Sequence, residues 1–235
     1  SANNKEKEKS YVNMLTANKV DGIIAGAHNL GIKEYRQIDA PILSFDRLLA
    51  SGIPIVGSDN YQGGKLATEH LIQNGCQKIG IITGSNASNS PTNERLSGYL
   101  DVLKENNLSP QVFRFETFEN STSLKKRKIA QILKDESLDG LFCTDDLTAL
   151  LVGDQCSKLG ITIPDQLQLI GYDGTEFIQT YFPSLTTVIQ PIDDCAELLV
   201  NLLIELINDP KKQVDSRYTL PVQLLQGKTT QTKRS

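Results

Sequence analysis

Residues 53–82 read IPIVGSDNYQGGKLATEHLIQNGCQKIGII. The stretch opens on one apolar run, Ile53-Pro54-Ile55-Val56, and closes on another, Ile79-Gly80-Ile81-Ile82. Between them, Gly63 to Asn74 places Leu66, Ala67, His70 and Leu71 on one face of a helix. The flanking runs are nearly continuous in apolar residues rather than alternating, which is the pattern of strands buried on both faces, as in a parallel sheet. Strand, helix and strand in this order predict an α/β fold with right-handed crossovers.

The same alternation continues in both directions. Val20 to Gly26, Pro41 to Phe45, Leu141 to Cys143 and Leu167 to Tyr172 read as further strands. Leu96 to Asn106 gathers Tyr99, Leu100 and Leu103 on one helical face, and Leu124 to Lys134 and Leu147 to Leu159 follow the same period. Asp194 to Asn208 is the strongest helix, with Leu198, Leu199, Leu202, Leu203 and Leu206 in register. There is also an internal echo: Asn18-Lys19-Val20-Asp21-Gly22-Ile23-Ile24 against Glu136-Ser137-Leu138-Asp139-Gly140-Leu141-Phe142. Asp-Gly is a common turn, so the echo only suggests two similarly built lobes.

Composition narrows the function classes. The 235 residues suffice for one large domain or two small ones. A net charge of −4 argues against a free-standing DNA-binding module, which is usually basic. No window approaches the roughly 18 consecutive apolar residues of a membrane span, and the charged start has no signal-peptide core. Cys76, Cys143, Cys156 and Cys195 form no C-x-x-C and have no histidine at ligand spacing, so buried reduced thiols are expected and no metal. Reduced thiols fit a cytoplasmic location.

The informative polar residues follow the strands. Phe45 is followed by Asp46-Arg47, Val56 by Gly57-Ser58-Asp59-Asn60, Ile82 by Thr83-Gly84-Ser85-Asn86, Cys143 by Thr144-Asp145-Asp146, and Tyr172 by Asp173-Gly174-Thr175-Glu176. Open α/β sheets bind ligands outside the carboxyl ends of their strands. Carboxylates, amides and arginine there suit a polyhydroxylated ligand, because a carboxylate accepts from two adjacent hydroxyls. Each of these residues also has a plainer reading as turn or helix cap, and Asp146 before the helix at Leu147 reads most simply as a cap.

Five segments carry a family resemblance. Ser58 to Leu71 resembles the "DN-x-x-GG-x-x-A-x-x-x-L" segment of LacI/GalR transcription regulators. Lys78 to Gly84 followed by Arg95-Leu96-Ser97-Gly98-Tyr99 matches that family's "R-x-x-G-aromatic", and Cys143-Thr144-Asp145-Asp146 stands at its "A-N-D". Ile163-Pro164-Asp165 with Leu169 to Asp173, and Pro183 to Pro191, match "V-P-x-D-x-x-V-x-G-F/Y-D" and "P-x-L-T-T-V-x-Q". Within the family the likeness leans to regulators of sucrose or ribose operons.

The resemblance implies a periplasmic-binding-protein-like type I fold: two Rossmann-like lobes with parallel sheets, joined by three hinge crossings, with ligand between them. It divides the chain into residues 1–59 plus 192–220 and residues 60–191 plus 221–235. Asp46 and Arg47 would line the first lobe's side of the cleft and Asp59 the hinge. Arg95 would clamp ligand from the second lobe, Asp173 would be the main acceptor for its hydroxyls, and Gln190 would face the cleft at the second crossing. Asp145 stands where the family has asparagine, and Phe118 would offer a flat wall to a sugar ring or serve as a core aromatic. Arg95 and Asp173 are thereby expected to serve binding rather than folding. The family's helix-turn-helix headpiece and the first strand and helix of lobe one have no counterpart in the sequence, which is expected to reach operator DNA only through such a headpiece and to form a homodimer.

Three functions compete: the effector-binding domain of a sugar-responsive repressor, an extracytoplasmic sugar-binding protein of a transport system, and an enzyme. Asp59 to Gly64 and Leu185 to Gln190 favour the repressor. No catalytic residues are identified: His28 and His70 lack a nucleophile in a known arrangement, and Gly63-Gly64 lacks the pattern of a phosphate loop. No cofactor is expected. The partner is a small sugar effector, neutral by preference because the acidic cleft repels anions, although Arg47 and Arg95 partly offset this.

Overall fold

The structure, a computed structural model, describes residues 4–26, 33–85, 90–116 and 121–232. His28 and Phe118 lie outside the described residues. The chain divides into two compact units, Ser1–Asp59 with Pro191–Pro221, and Asn60–Gln190 with Val222–Ser235.

In the first unit β1 (Ile23–Ala25), β2 (Ile42–Phe45), β3 (Ile55–Ser58) and β9 (Arg217–Leu220) form a sheet in the order β1-β2-β3-β9, all neighbours parallel. Ile42 and Leu43 explain why β2 is a continuous apolar run. Successive side chains point to opposite faces: Ile42 packs with Val12 of α1 (Lys5–Ala17), Ile23 and Tyr35, while Leu43 packs with Val56 and with Cys195, Leu199 and Leu202 of α7 (Ile192–Asn208). Both faces are covered, and the one polar residue of β2, Ser44, is buried with its hydroxyl on backbone carbonyls.

Among the described residues, the second unit has six strands in the order β10-β8-β7-β6-β4-β5, with ranges β4 Ile79–Ser85, β5 Gln111–Glu116, β6 Gly140–Cys143, β7 Gln168–Asp173, β8 Thr186–Ile189 and β10 Gln223–Leu225. Every pair is parallel except β10 with β8, which is antiparallel. That edge departs from the all-parallel expectation because β10 follows directly on the unit boundary at Pro221–Val222 and enters without a crossover helix. The residues again alternate. Ile81, Phe142, Ile170 and Tyr172 meet α2 (Asn60–Gln73) and α3 (Pro91–Glu105) through Ala67, Leu71, Leu96 and Tyr99. Ile82, Leu141, Cys143 and Leu169 meet α4 (Thr122–Asp135) and α5 (Asp146–Leu159) through Ile129, Val152 and Cys156. All four cysteines are buried and none is in a disulfide, as read from the sequence.

The contact between α2 and α3 places the residues that matter most. It is so close that a Cβ on Gly64 would run into the carbonyl oxygen of Arg95. A Cβ on Gly98 would run into the carbonyl of Tyr61 and lie 2.8 Å from the amide nitrogen of Lys65. The glycines of "GG" and "R-x-x-G" are therefore packing devices that let two helix backbones touch, at the usual helical cost of glycine. Gly98→Ala has backbone rather than a flexible side chain to displace. It is expected to lower the second unit's stability by about 1–3 kcal/mol or more, read by urea unfolding; an unchanged midpoint would show that the helices are not in this contact.

Candidate functional site

The candidate site grows from the carboxyl end of β7. Asp173 is its last residue and has φ 119°, followed by Gly174 at φ 57°. Two successive residues with positive φ turn the chain sharply. A Cβ at Gly174 would lie 2.6 Å from Ile189 Cγ1, so only glycine fits there, while Asp173 adopts its backbone at a cost of order 1–3 kcal/mol. Contacts on all sides hold the turn. The Gly174 N–H donates to Asp146 Oδ2 at 2.7 Å, the Gln190 N–H to the Asp173 carbonyl at 3.1 Å, and Gln179 Nε2 to the Gly174 carbonyl at 2.7 Å.

The turn presents the Asp173 carboxylate to two donors from different elements. Gln190 Nε2 donates to Asp173 Oδ1 at 2.6 Å, and Arg95 Nη1 stands 3.7 Å from the same oxygen. Burial pushes the Asp173 carboxyl up to about 7; the Arg95 charge opposes this, and the neighbouring Asp146 and Asp145 charges add to it. Solvent still reaches a third of its side chain, at 34% exposure.

Arg95 is 5% exposed. Its Nε donates to Asn60 Oδ1 at 2.8 Å and Nη1 to the Thr144 carbonyl at 2.6 Å. The guanidinium carbon lies 3.6 Å over the Tyr172 ring, a cation–π stack, and the Tyr172 hydroxyl donates to the same Asn60 oxygen at 3.3 Å. Asn60 opens α2, Arg95 begins the second turn of α3, Thr144 follows β6, and Tyr172 precedes Asp173 on β7. The glycine contact between α2 and α3 is what brings the first two within one hydrogen bond.

The structure thus joins three of the residues expected from sequence: Arg95, Asp173 and Gln190. Asp145 adjoins them as the N-cap of α5, with Oδ1 accepting from the Thr148 amide and Oδ2 from its hydroxyl, both at 2.7 Å. This corrects the reading of Asp146 as the cap. The helix begins one residue earlier, and Asp146 is a 2% exposed acid that also accepts from the Thr187 hydroxyl at 2.6 Å. Asp46, Arg47 and Asp59 belong to the first unit. Asp46 follows β2 at φ 62°, with its N–H on the Val56 carbonyl at 2.8 Å, and the Ser44 hydroxyl donates to the Arg47 carbonyl. Asp59 donates its N–H to the Leu220 carbonyl at 2.8 Å.

Asn60, Tyr172, Asp146 and Thr187 were not picked out as site residues. A tandem of acids after a buried strand was a usable signal for Asp146, since only one of the two can cap the helix.

The chain was compared with known proteins. Residues 68–230 match the model of the periplasmic binding protein-like domain. A sucrose operon repressor of Pediococcus pentosaceus is 50% identical over 229 residues, 97% of this chain and 70% of that protein. A ribose operon repressor of Halalkalibacterium halodurans is 35% identical over 226 residues, 96% of this chain and 67% of that protein. Among solved structures, a periplasmic binding protein/LacI transcriptional regulator from Alkaliphilus metalliredigens QYMF, complexed with D-xylulofuranose, superposes with a TM-score of 0.85 at 32% identity, covering 97% of this chain and 84% of that one.

The geometry revises one expectation. Arg95 is too deeply bonded to serve binding alone: Arg95→Ala takes this donor from the buried Thr144 carbonyl, at about 1–3 kcal/mol for a buried acceptor left unmet, and leaves the Asn60 oxygen only the Tyr172 hydroxyl. A clear drop in melting temperature without any ligand is expected. Arg95→Lys is expected to recover only part of it, because an ammonium lacks the planar fork that meets both acceptors. Melting curves of the two variants matching the parent's would contradict this placement.

Proposed function

Because the chain belongs to the periplasmic-binding-protein-like family of LacI-type transcription regulators, we propose that it is the effector sensor of a cytoplasmic sugar-responsive repressor, which binds a small neutral sugar and does no chemistry on it. The observation that carries the reading is the meeting of Asp173, Gln190 and Arg95 at the ends of β7 and β8 and the head of α3. A carboxylate backed by an amide and a guanidinium offers acceptors and donors in fixed directions, as vicinal hydroxyls require. The partly solvated Asp173 is the group placed to take hydroxyl hydrogens.

Neutral rather than phosphorylated sugars are favoured by charge: the Asp145 and Asp146 charges act on Asp173 against a single guanidinium, so an added dianion would meet repulsion. Asp46, Arg47 and Asp59 are assigned to the same ligand from the first unit, and Asp145 and Phe118 from the second. Sucrose and its component hexoses are the first candidates, because a sucrose operon repressor shares half of its residues with this chain over nearly the chain's whole length. Operator contact is assigned to a DNA-binding headpiece outside residues 1–235, since these carry a net charge of −4.

Thermal-shift screening against sucrose, D-glucose, D-fructose, D-ribose, D-xylulose and the corresponding phosphates tests the reading. A neutral sugar should raise the melting temperature, since ligand at 100 times its Kd adds about 2.7 kcal/mol to a state that alone binds it. Asp173→Asn should remove most of that shift. A panel without any shift, or a shift unaffected by Asp173→Asn, would sink the assignment.

We infer in addition that the chain pairs with a second copy of itself, as a regulator of a two-fold operator requires. An exposed aromatic cluster supports this: Phe177 and Tyr181 of α6 (Glu176–Tyr181) have ring centroids 5.1 Å apart, and Phe177 and Phe182 5.9 Å apart. Tyr181 is 69% exposed, an arrangement that interfaces cover. Sedimentation velocity at tens of micromolar (roughly) should show a dimer that Tyr181→Asp dissociates; a monomer throughout would count against it.

A further inference from the structure

Asp146 is the most deeply buried acid near the candidate site, and the roles assigned so far leave its carboxylate unexplained. It is 2% exposed in the first turn of α5, and both of its oxygens face inward. Oδ2 takes the Gly174 N–H at 2.7 Å, Oδ1 takes the Thr187 hydroxyl at 2.6 Å, and the backbone of Tyr172 adds another bond. Space is reserved for it: a Cβ on Gly171 would run into Asp146 Oδ1, so β7 carries glycine there. The carboxylate therefore joins three elements, the start of α5, the end of β7 and the middle of β8.

Those bonds end on either side of Asp173. Tyr172 precedes it, Gly174 follows it, and Thr187 lies opposite Gly171 in the β7–β8 register, two residues before Ile189 opposite Asp173 itself. Asp173 holds a backbone conformation that non-glycine residues rarely adopt, so surrounding contacts must impose it. Left unrestrained, the turn would relax toward ordinary φ and swing the carboxylate away from Gln190 and Arg95.

We propose that Asp146 is a positioning residue for sugar recognition: without touching the sugar, it fastens the Tyr172–Gly174 turn to β8 and so sets the direction of the Asp173 carboxylate. The inference rests on the sugar-sensor reading. It separates the tandem acids by role: Asp145 caps a helix and Asp146 aims a ligand group. The charged groups acting on Asp173 are Arg95 from α3 and Asp145 and Asp146 from the β6–α5 junction. Asp146 thus also acts on Asp173 through like charge.

Calorimetric titration with sucrose, D-glucose, D-fructose and D-ribose of the parent chain, Asp173→Asn, Asp146→Asn, Thr187→Val and Thr187→Ser tests it. Asp146→Asn keeps the size but replaces one acceptor oxygen by a donor; it should weaken the sugar that the parent binds by about tenfold or more. Thr187→Val, which deletes only the hydroxyl facing Asp146, should weaken it several-fold, and Thr187→Ser, which restores that hydroxyl, should return it to near the parent value. The pH profile gives a readout that a merely structural role would not move. Parent affinity should fall as pH drops through about 7 and Asp173 takes up its proton, and in Asp146→Asn the fall should shift to lower pH because a like charge is gone.

If Asp146→Asn does not fold, the Thr187 pair decides the matter. Lowered melting temperatures with Kd and pH profile unchanged in Asp146→Asn, or unchanged Kd in Thr187→Val, while Asp173→Asn still abolishes binding, would overturn the positioning role and leave the sensor reading intact. A parent chain that binds none of the four sugars overturns both.

Discussion

A guanidinium with 5% exposure sets the terms for the second unit. A charge out of water is tolerated only when its hydrogens are taken up and an opposite charge is near. Arg95 meets that demand with the Asn60 amide oxygen, the Thr144 carbonyl, the face of Tyr172 and the Asp173 carboxylate, which come from three different places in the chain. Those places can converge only if α2 and α3 approach to backbone contact, which Gly64 and Gly98 permit, and only if β7 ends in a turn that points its last carboxylate back at the helix. Helix packing, strand register and turn conformation are all conditions for one cation.

Much of the architecture was legible because burial on both faces leaves a simple mark. Ile42-Leu43 and Ile81-Ile82 feed two different cores from adjacent positions, so the runs look uniformly apolar and read as parallel strands. β5, β9 and β10 were not recognised. They lie at sheet edges, and Arg217-Tyr218-Thr219-Leu220 alternates exposed and half-buried, with too little apolar content to stand out from a loop. β8 reads Thr-Thr-Val-Ile; its two threonines are fully buried, but their hydroxyls bond to Asp146 and Thr230, partners that composition does not reveal. The period read from Gly63 starts α2 three residues late, because Asn60, Tyr61 and Gln62 add nothing to its apolar face. The contacts of Gly63 and Gly64 with Tyr172 and Arg95 show them to be a helix surface shaved for close approach.

The candidate site was legible in its charged members and illegible in its supports. Arg95, Asp173 and Gln190 stand at positions a motif names. Asn60 and Tyr172, which hold Arg95, look like parts of a helix start and a strand; their role is visible only when hydrogen bonds from sequence separations of 35 and 112 are seen to share one oxygen. The positive φ of Asp173 has no signature beyond the glycine after it, and at 119° it lies outside the left-handed region that aspartate ordinarily tolerates.

The pairing within the site also bears on selectivity. Gln190 donates to Asp173, and Arg95 donates to Asn60 and Thr144, so the polar groups already orient one another. A hydroxyl that donates to the partly solvated Asp173 carboxylate exchanges a bond to water for one to protein, and the net gain per contact is then the small difference typical of such exchanges. Mismatch is costlier. A ligand that displaces Gln190 from Asp173 but supplies no hydroxyl leaves a partly buried carboxylate short of a donor, and sites built from hydrogen-bonded polar groups reject such analogues far more strongly than apolar pockets do. On the proposed reading, a site assembled this way would discriminate by the hydroxyl pattern of a sugar more than by its size, and the rigidity that Arg95 requires of the surrounding elements would keep that pattern from blurring.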